Sequence, residues 1–170
     1  MVSPDEFRET LGAFASGVTV VTGKHLGVPH AATMTAFCSV SLSPPLVLIC
    51  VGKDSRSHEF IASGGIFAVN ILHESQVHLA TVLARTGESE DKAARGLVGI
   101  SHYTKVTGAP ILSESHAYLD CTVVQMIDAG DHTVFLGRPE AAGFSKDDAP
   151  LVYHKRRFGQ FLKYTSSNTS

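Results

Sequence analysis

Thr33-Met34-Thr35-Ala36-Phe37-Cys38-Ser39-Val40-Ser41-Leu42-Ser43-Pro44-Pro45-Leu46-Val47-Leu48-Ile49-Cys50-Val51 places a mixed hydroxyl and apolar segment beside a continuous apolar run. No helical pattern separates them. Ser43-Pro44-Pro45 breaks the chain between them. Residues 46–51 are six apolar residues in a row, the length of a buried strand. Working back, Val18-Thr19-Val20-Val21-Thr22 is β-branched throughout and reads as a strand. Residues 23–29, with two glycines, read as a turn. Working forward, strands are expected at 66–72, 103–106, 117–127, 133–137 and 150–153.

Helical patterns are few. Ser3-Pro4-Asp5-Glu6 reads as a capping box with proline at the first helical position, and Phe7, Leu11 and Phe14 follow at helical spacing. Gly17 is expected to end that helix. A short helix over 58–63 stops at Gly64-Gly65, and 74–85 fits an amphipathic helix. Residues 86–95 are charged and loop-like. Six to eight strands with few intervening helices exclude a doubly wound parallel sheet. They favour a mainly β fold, antiparallel strands closed into a barrel with short helices.

The chain has 170 residues, 44% hydrophobic and 18% charged, the balance of one packed domain. The domain is expected over 1–164, with a disordered Ser/Thr/Asn-rich tail at 165–170. Net charge is −2, and the densest basic cluster is Lys155-Arg156-Arg157. That argues against nucleic acid as a partner and leaves room for a small anion. The three cysteines have neither zinc nor disulfide spacing and sit in apolar runs, so they read as small core residues. Without a leader pattern or a membrane-length apolar run, the expectation is a cytoplasmic protein with no membrane partner. His25/His30 and His73/His78 match no metal pattern, so no metal is expected. No G-x-S-x-G elbow and no G-x-G-x-x-G fingerprint is present.

Three segments carry more hydrogen-bonding capacity than a barrel core requires. Segment 33–41 holds four hydroxyls within nine residues. Thr33, Thr35, Cys38 and Ser39 share one face only if a bulge intervenes. It reads either as a hydroxyl-rich edge strand or as donors facing a planar polar ligand. Gly52-Lys53-Asp54-Ser55-Arg56-Ser57 follows the buried run. By composition it is an ordinary solvated turn, and its donors and cations equally suit a phosphate. Gly130-Asp131-His132-Thr133 presents His132, either a surface histidine or a group placed to touch a reactive ring or donate a proton.

At these same segments the sequence resembles the flavin reductase-like, FMN-binding split-barrel family. The marks are Phe14-Ala15-Ser16-Gly17-Val18-Thr19-Val20-Val21-Thr22, residues 33–45, Ser55-Arg56-Ser57, Phe67-Ala68-Val69-Asn70-Ile71-Leu72, residues 130–137, and Pro150-Leu151-Val152-Tyr153-His154 with Arg157-Phe158-Gly159. They occur in order from Phe7 to about Phe161. The resemblance implies a six-stranded antiparallel Greek-key split barrel and a homodimer with flavin near the subunit interface. It implies FMN or FAD, with NADH or NADPH as hydride donor, and reduced flavin passed to a separate monooxygenase. By position, Thr33, Met34, Thr35, Ala36, Ser39 and Val40 would line the isoalloxazine, with Cys50 and Val51 beside it. Ser55 and Ser57 would bind the flavin phosphate. His132 would serve the nicotinamide as the catalytic residue, and Tyr153, Arg157 and Phe158 would close the pocket. Many relatives carry an Arg-Phe pair after the 74–84 helix, where this chain has Arg85-Thr86 and Lys92-Ala93-Ala94-Arg95-Gly96. A flavin-binding storage or sensor protein without turnover, and an oxidase of the pyridoxamine-phosphate type, are the alternatives.

Overall fold

A computed structural model describes residues 1–84, 97–146 and 149–164. The expectations for 86–95 and for the tail at 165–170 lie outside the described residues.

Helix α1 (Pro4–Gly12) starts as its sequence dictates: Glu6 N–H donates to Ser3 Oγ at 3.2 Å, and Glu6 Oε2 accepts from Ser3 N–H at 2.8 Å. It ends at Gly12, earlier than the expected stop at Gly17. A two-residue strand β1 (Ser16–Gly17) leads into β2 (Thr19–His25) and β3 (Val28–Met34). The expected turn at 23–29 shrinks to Leu26-Gly27, whose φ values of 49° and 81° give a tight mirror-image hairpin turn.

Strand β4 (Phe37–Leu42) and strand β5 (Pro45–Gly52) form the next hairpin, and helix α2 (Arg56–Gly64) returns the chain to β6 (Ile66–Ile71). Gly65 closes α2 in the left-handed conformation, φ 67°. A 3₁₀ turn (Glu74–Gln76) precedes α3 (Val77–Ala84). Short strands β7 (His102–Thr104) and β8 (Pro110–Leu112) pair with each other. The long strands β9 (Ala117–Ala129) and β10 (His132–Phe144) form a hairpin, and β11 (Leu151–His154) and β12 (Arg157–Gln160) form the last.

The main sheet runs β3-β2-β6-β9-β10-β5-β4, every pair antiparallel. Hairpin β9–β10 slots between β5 and β6, which are consecutive strands joined over α2; this is a Greek-key arrangement. The edge strands β3 and β4 are two parts of one extended segment bent at Thr35-Ala36, so the sheet returns upon itself as a barrel. Counted as one bent strand, that segment gives six strands, and counted as two it gives seven.

Strand alternation fills the interior. On β5, Val47, Ile49 and Val51 are buried while Leu48 and Cys50 face outward. Phe67 and Phe135, both fully buried, join Val21, Val69 and Cys121 in the same core. Gly137 sits where a Cβ would collide with the Phe67 ring. Buried polar groups are satisfied within the barrel: Asn70 Nδ2 donates to Val20 O at 3.0 Å, and its Oδ1 accepts from Leu112 N–H at 2.8 Å.

One cysteine departs from expectation. Cys38 is exposed, because β4 is an edge strand whose outer face has no described cover; Cys50 is half-buried and Cys121 buried. Burial, then the neighbouring Asp120 and Glu140 charges, pushes the Cys121 thiol up to about 12. Burial, then Cys38, raises Cys50. Thiol titration with an aromatic disulfide is expected to leave Cys121 untouched until denaturant is added, with exposed Cys38 reacting before it. Modification of Cys121 in the folded protein would contradict this packing.

Candidate functional site

Strand β3 ends with its hydroxyls turned toward α3. Thr33 Oγ1 donates to Ala80 O at 2.8 Å, and Met34 O accepts from Thr19 Oγ1 at 2.8 Å. Beyond them the chain bends, with Phe37 N–H donating to Thr35 O at 2.9 Å. The bend leaves Thr35 exposed at the lip of a cavity of about 380 Å³, lined by Val18, Thr33, Met34, Thr35, Tyr153 and Phe158 among others. Tyr153 and Phe158 are cross-strand partners with ring centroids 5.4 Å apart. This volume lies within the ~300–1,000 Å³ range of small-molecule sites. An apolar aromatic wall facing hydroxyls suits a planar polar ring system.

A second cluster adjoins the first through Ala36, whose carbonyl accepts from Cys50 N–H at 3.1 Å. Val51 lies opposite Thr133, and Gly52 opposite His132. His132 Nδ1 is 2.8 Å from Asp131 Oδ1, leaving its Nε2 edge beside Gly52. The hydrogen bond with His132, then its charge, holds the Asp131 carboxyl below the usual carboxylate range. Lys53 is paired with Asp128 at 3.1 Å.

Ser55 is the N-cap of α2: its Oγ accepts from His58 N–H at 3.2 Å and donates to Gly52 O at 2.7 Å. The N–H groups of Arg56 and Ser57 precede the helical ladder and can meet an anion. Ser57 Oγ, expected at a phosphate, instead turns into the protein and lies 2.9 Å from His30 Nε2, both residues being buried. His58 Nε2 lies 2.9 Å from Thr133 Oγ1. The first turn of α2 is thus bolted to β3 on one side and to β10 on the other.

Of the residues the sequence proposes, Thr33, Met34, Thr35, Tyr153 and Phe158 share the first cavity, and Ala36, Cys50, Val51, Ser55 and His132 cluster beside it. The Val51 side chain points into the core, so only its backbone can reach a ligand. Ser39 and Val40 lie away from both groups: Ser39 is opposite Val47, and a register shift places Val40 in a bulge. Arg157 departs from expectation too. Tyr153 pairs with Phe158 and His154 with Arg157, so Arg157 projects from the other face of the hairpin. Arg156, noted in the sequence only as part of the basic cluster 155–157, lines the cavity instead. The residues aligned with the relatives' Arg-Phe pair lie outside the described residues.

Comparison with known proteins agrees with this geometry. The model of the flavin reductase-like domain matches residues 11–162. The reductase component of 4-nitrophenol 4-monooxygenase/4-nitrocatechol 2-monooxygenase from Rhodococcus opacus is 39% identical over 162 residues, covering 95% of this chain and 83% of that protein. Flavin reductase (NADH) from Kitasatospora aureofaciens is 34% identical over 165 residues, covering 95% and 83%. The Streptomyces globisporus C-1027 NADH:FAD oxidoreductase SgcE6 superposes with a TM-score of 0.86 at 34% identity over 96% of this chain and 98% of its own. It is also known in complex with NAD and FAD fragments. Antiparallel split barrel and site together define a flavin reductase fold. The chain belongs to the flavin reductase-like domain family.

Proposed function

We propose that this protein is a NAD(P)H-dependent flavin reductase that moves a hydride from a nicotinamide dinucleotide to FMN or FAD and supplies reduced flavin to a separate monooxygenase. The observation that carries this reading is the cavity joining Thr33–Thr35 to the Tyr153–Phe158 wall. The relatives' roles support it. No described helix is long and apolar enough to cross a membrane, and a cytoplasmic location accords with that.

Flavin, when bound, supplies the electron-accepting chemistry, and the chain supplies binding and electrostatics. Thr35 borders the polar edge of the site, where its hydroxyl and nearby backbone donors would stabilise growing negative charge, while Thr33, its hydroxyl donated to Ala80 O, holds the end of β3 against α3. Tyr153 and Phe158 exclude water on the opposite side. The N–H groups at the start of α2, capped by Ser55, would hold the flavin phosphate. His132, its Nδ1 held by Asp131, would border the nicotinamide. A homodimer is supported by the outward row Cys50, Val134 and Ile127 across β5, β10 and β9, continued by Leu48 and Leu136, an apolar face with no described cover.

NAD(P)H consumption by the purified protein, with and without added FMN or FAD, tests the reading. Flavin-dependent turnover is expected, and the preferred flavin and donor emerge from the same assay. Tight flavin binding without turnover would replace it with a storage or sensor role.

A further inference from the structure

We propose that Arg156 binds the pyrophosphate of a dinucleotide crossing this site, an inference that rests on the flavin-reductase reading above. Lys155 and Arg156 form the two-residue turn of the β11–β12 hairpin, with φ values of 45° and 63°. Such mirror-image turns favour Asn-Gly, because side chains are disfavoured at positive φ. Here two long cationic residues occupy both strained positions. The turn is pinned in place, since Lys155 N–H donates to Gly12 O at the end of α1 at 3.0 Å. Strain maintained at a ligand cavity points to a functional demand on the side chain.

The position of Arg156 supplies that demand. It lines the cavity of Thr33–Thr35, Tyr153 and Phe158, and it also lines a larger cavity of about 920 Å³ bounded by α1. Thr35, Tyr153 and Arg156 belong to both, so a ligand spanning the two passes Arg156. The first cavity suits a ring system. The second offers Phe7, Leu11 and Phe14 to a second flat group. Among the described residues no carboxylate pairs with Arg156; Asp5, in the same cavity, is paired with Arg8 at 3.2 Å. A guanidinium with no partner among the described residues matches a diphosphate with its planar fork of donors. Ser55 and Ser57, at the proposed monophosphate position, line neither cavity. The anion at Arg156 is therefore a different one, and a molecule carrying only a monophosphate does not need it.

The test compares full-length wild type with Arg156→Ala and Arg156→Gly. Three quantities are measured: KM for NADH and NADPH with FMN as acceptor, dissociation constants for FMN and FAD, and Tm. Loss of charge-assisted hydrogen bonds at this exposed position is expected to weaken the dinucleotide by roughly tenfold, with kcat little changed and FMN binding unaltered. If the nicotinamide KM rises, Arg156 holds the NAD(P)H diphosphate; if FAD binding weakens alone, it holds that of FAD, and the riboflavin 5′-phosphate of bound FAD is then not at the start of α2. Arg156→Gly should additionally raise Tm by about 2–4 °C through relief of strain, so a purely structural role predicts no affinity loss in that variant. Unchanged constants for both dinucleotides, or FMN weakened as much as they are, would overturn the assignment. Should the wild type bind flavin but show no turnover, the reductase reading fails by itself, and FAD against FMN binding still decides the role of Arg156.

Discussion

Asp120→Ala is expected to destabilise the protein by about 3 kcal/mol and to lower Tm by roughly 6–12 °C. Asp120 is fully buried on β9, opposite Ala68. Its Oδ2 accepts from Val106 N–H at 2.8 Å and from Thr107 N–H at 3.0 Å, and its Oδ1 accepts from Thr107 Oγ1. One carboxylate thus pins the segment that leads into β8. Alanine would leave a backbone donor pair without its acceptor and a gap beside Cys121. Asparagine is the informative control. Its amide oxygen can take both backbone N–H groups while its NH₂ donates to Thr107 Oγ1, which keeps three bonds but loses the charge and reverses the bond in which the Thr107 hydroxyl was donor. Asp120→Asn should therefore cost about 1 kcal/mol. Equal losses of Tm in the two variants would show that the bond pattern is not what stabilises this segment.

That network was invisible in the sequence, and the reason is general to this fold. Local chemistry was legible: Ser3 and Glu6 cap α1, Gly65 closes α2, and the apolar run at 46–51 is a core strand. Where a turn lacked its usual residues, the element was missed. Lys155-Arg156 carries no Gly or Asn, so β12 was not anticipated and Arg157 was preferred to Arg156. The strand expected at 133–137 runs on to Phe144 in β10, because register shifts at 136/137 and 139/141 accommodate Pro139. Gly23 looked like a turn residue and is an ordinary member of β2, packed against Ile61 and the Ile66 carbonyl.

The site shows the same division. Thr33–Thr35 and Tyr153 with Phe158 are more than a hundred residues apart, and family resemblance, not spacing, brought them together in advance. Ser57 illustrates what resemblance could not supply. Its type and place suit a phosphate loop, but its direction depends on His30, 27 residues earlier on β3. Side-chain direction at a helix start is set by what the helix packs against, and that is tertiary information.

The His30–Ser57 link makes the stability of this protein acid-sensitive in a defined window. His30 is 4% exposed, stacked near Phe60 at 4.9 Å, and its Nε2 lies 2.9 Å from Ser57 Oγ. Burial, then the Arg56 charge, lowers it to about 4. In the unfolded chain it titrates near its ordinary value of about 6.5. As pH falls through 6.5 the unfolded state binds the proton and the folded state does not, so stability falls with pH. The loss continues until the folded state titrates near 4 and then levels off. A depression of this size corresponds to about 3 kcal/mol across the window, as an order of magnitude. His30→Gln keeps a donor and an acceptor for Ser57 and does not titrate. Subtracting its Tm from that of wild type at each pH cancels the other groups. The difference should be constant above pH ~7 and turn against the wild type between about 6.5 and 4. A difference independent of pH would show that His30 titrates alike in both states. Because Ser57 sits in the first turn of α2, flavin affinity in wild type is expected to hold through that window and to fall only as folded His30 takes its proton near 4, and to remain flatter in His30→Gln. Acid would then act on the phosphate site through the helix that carries it, not through the ligand.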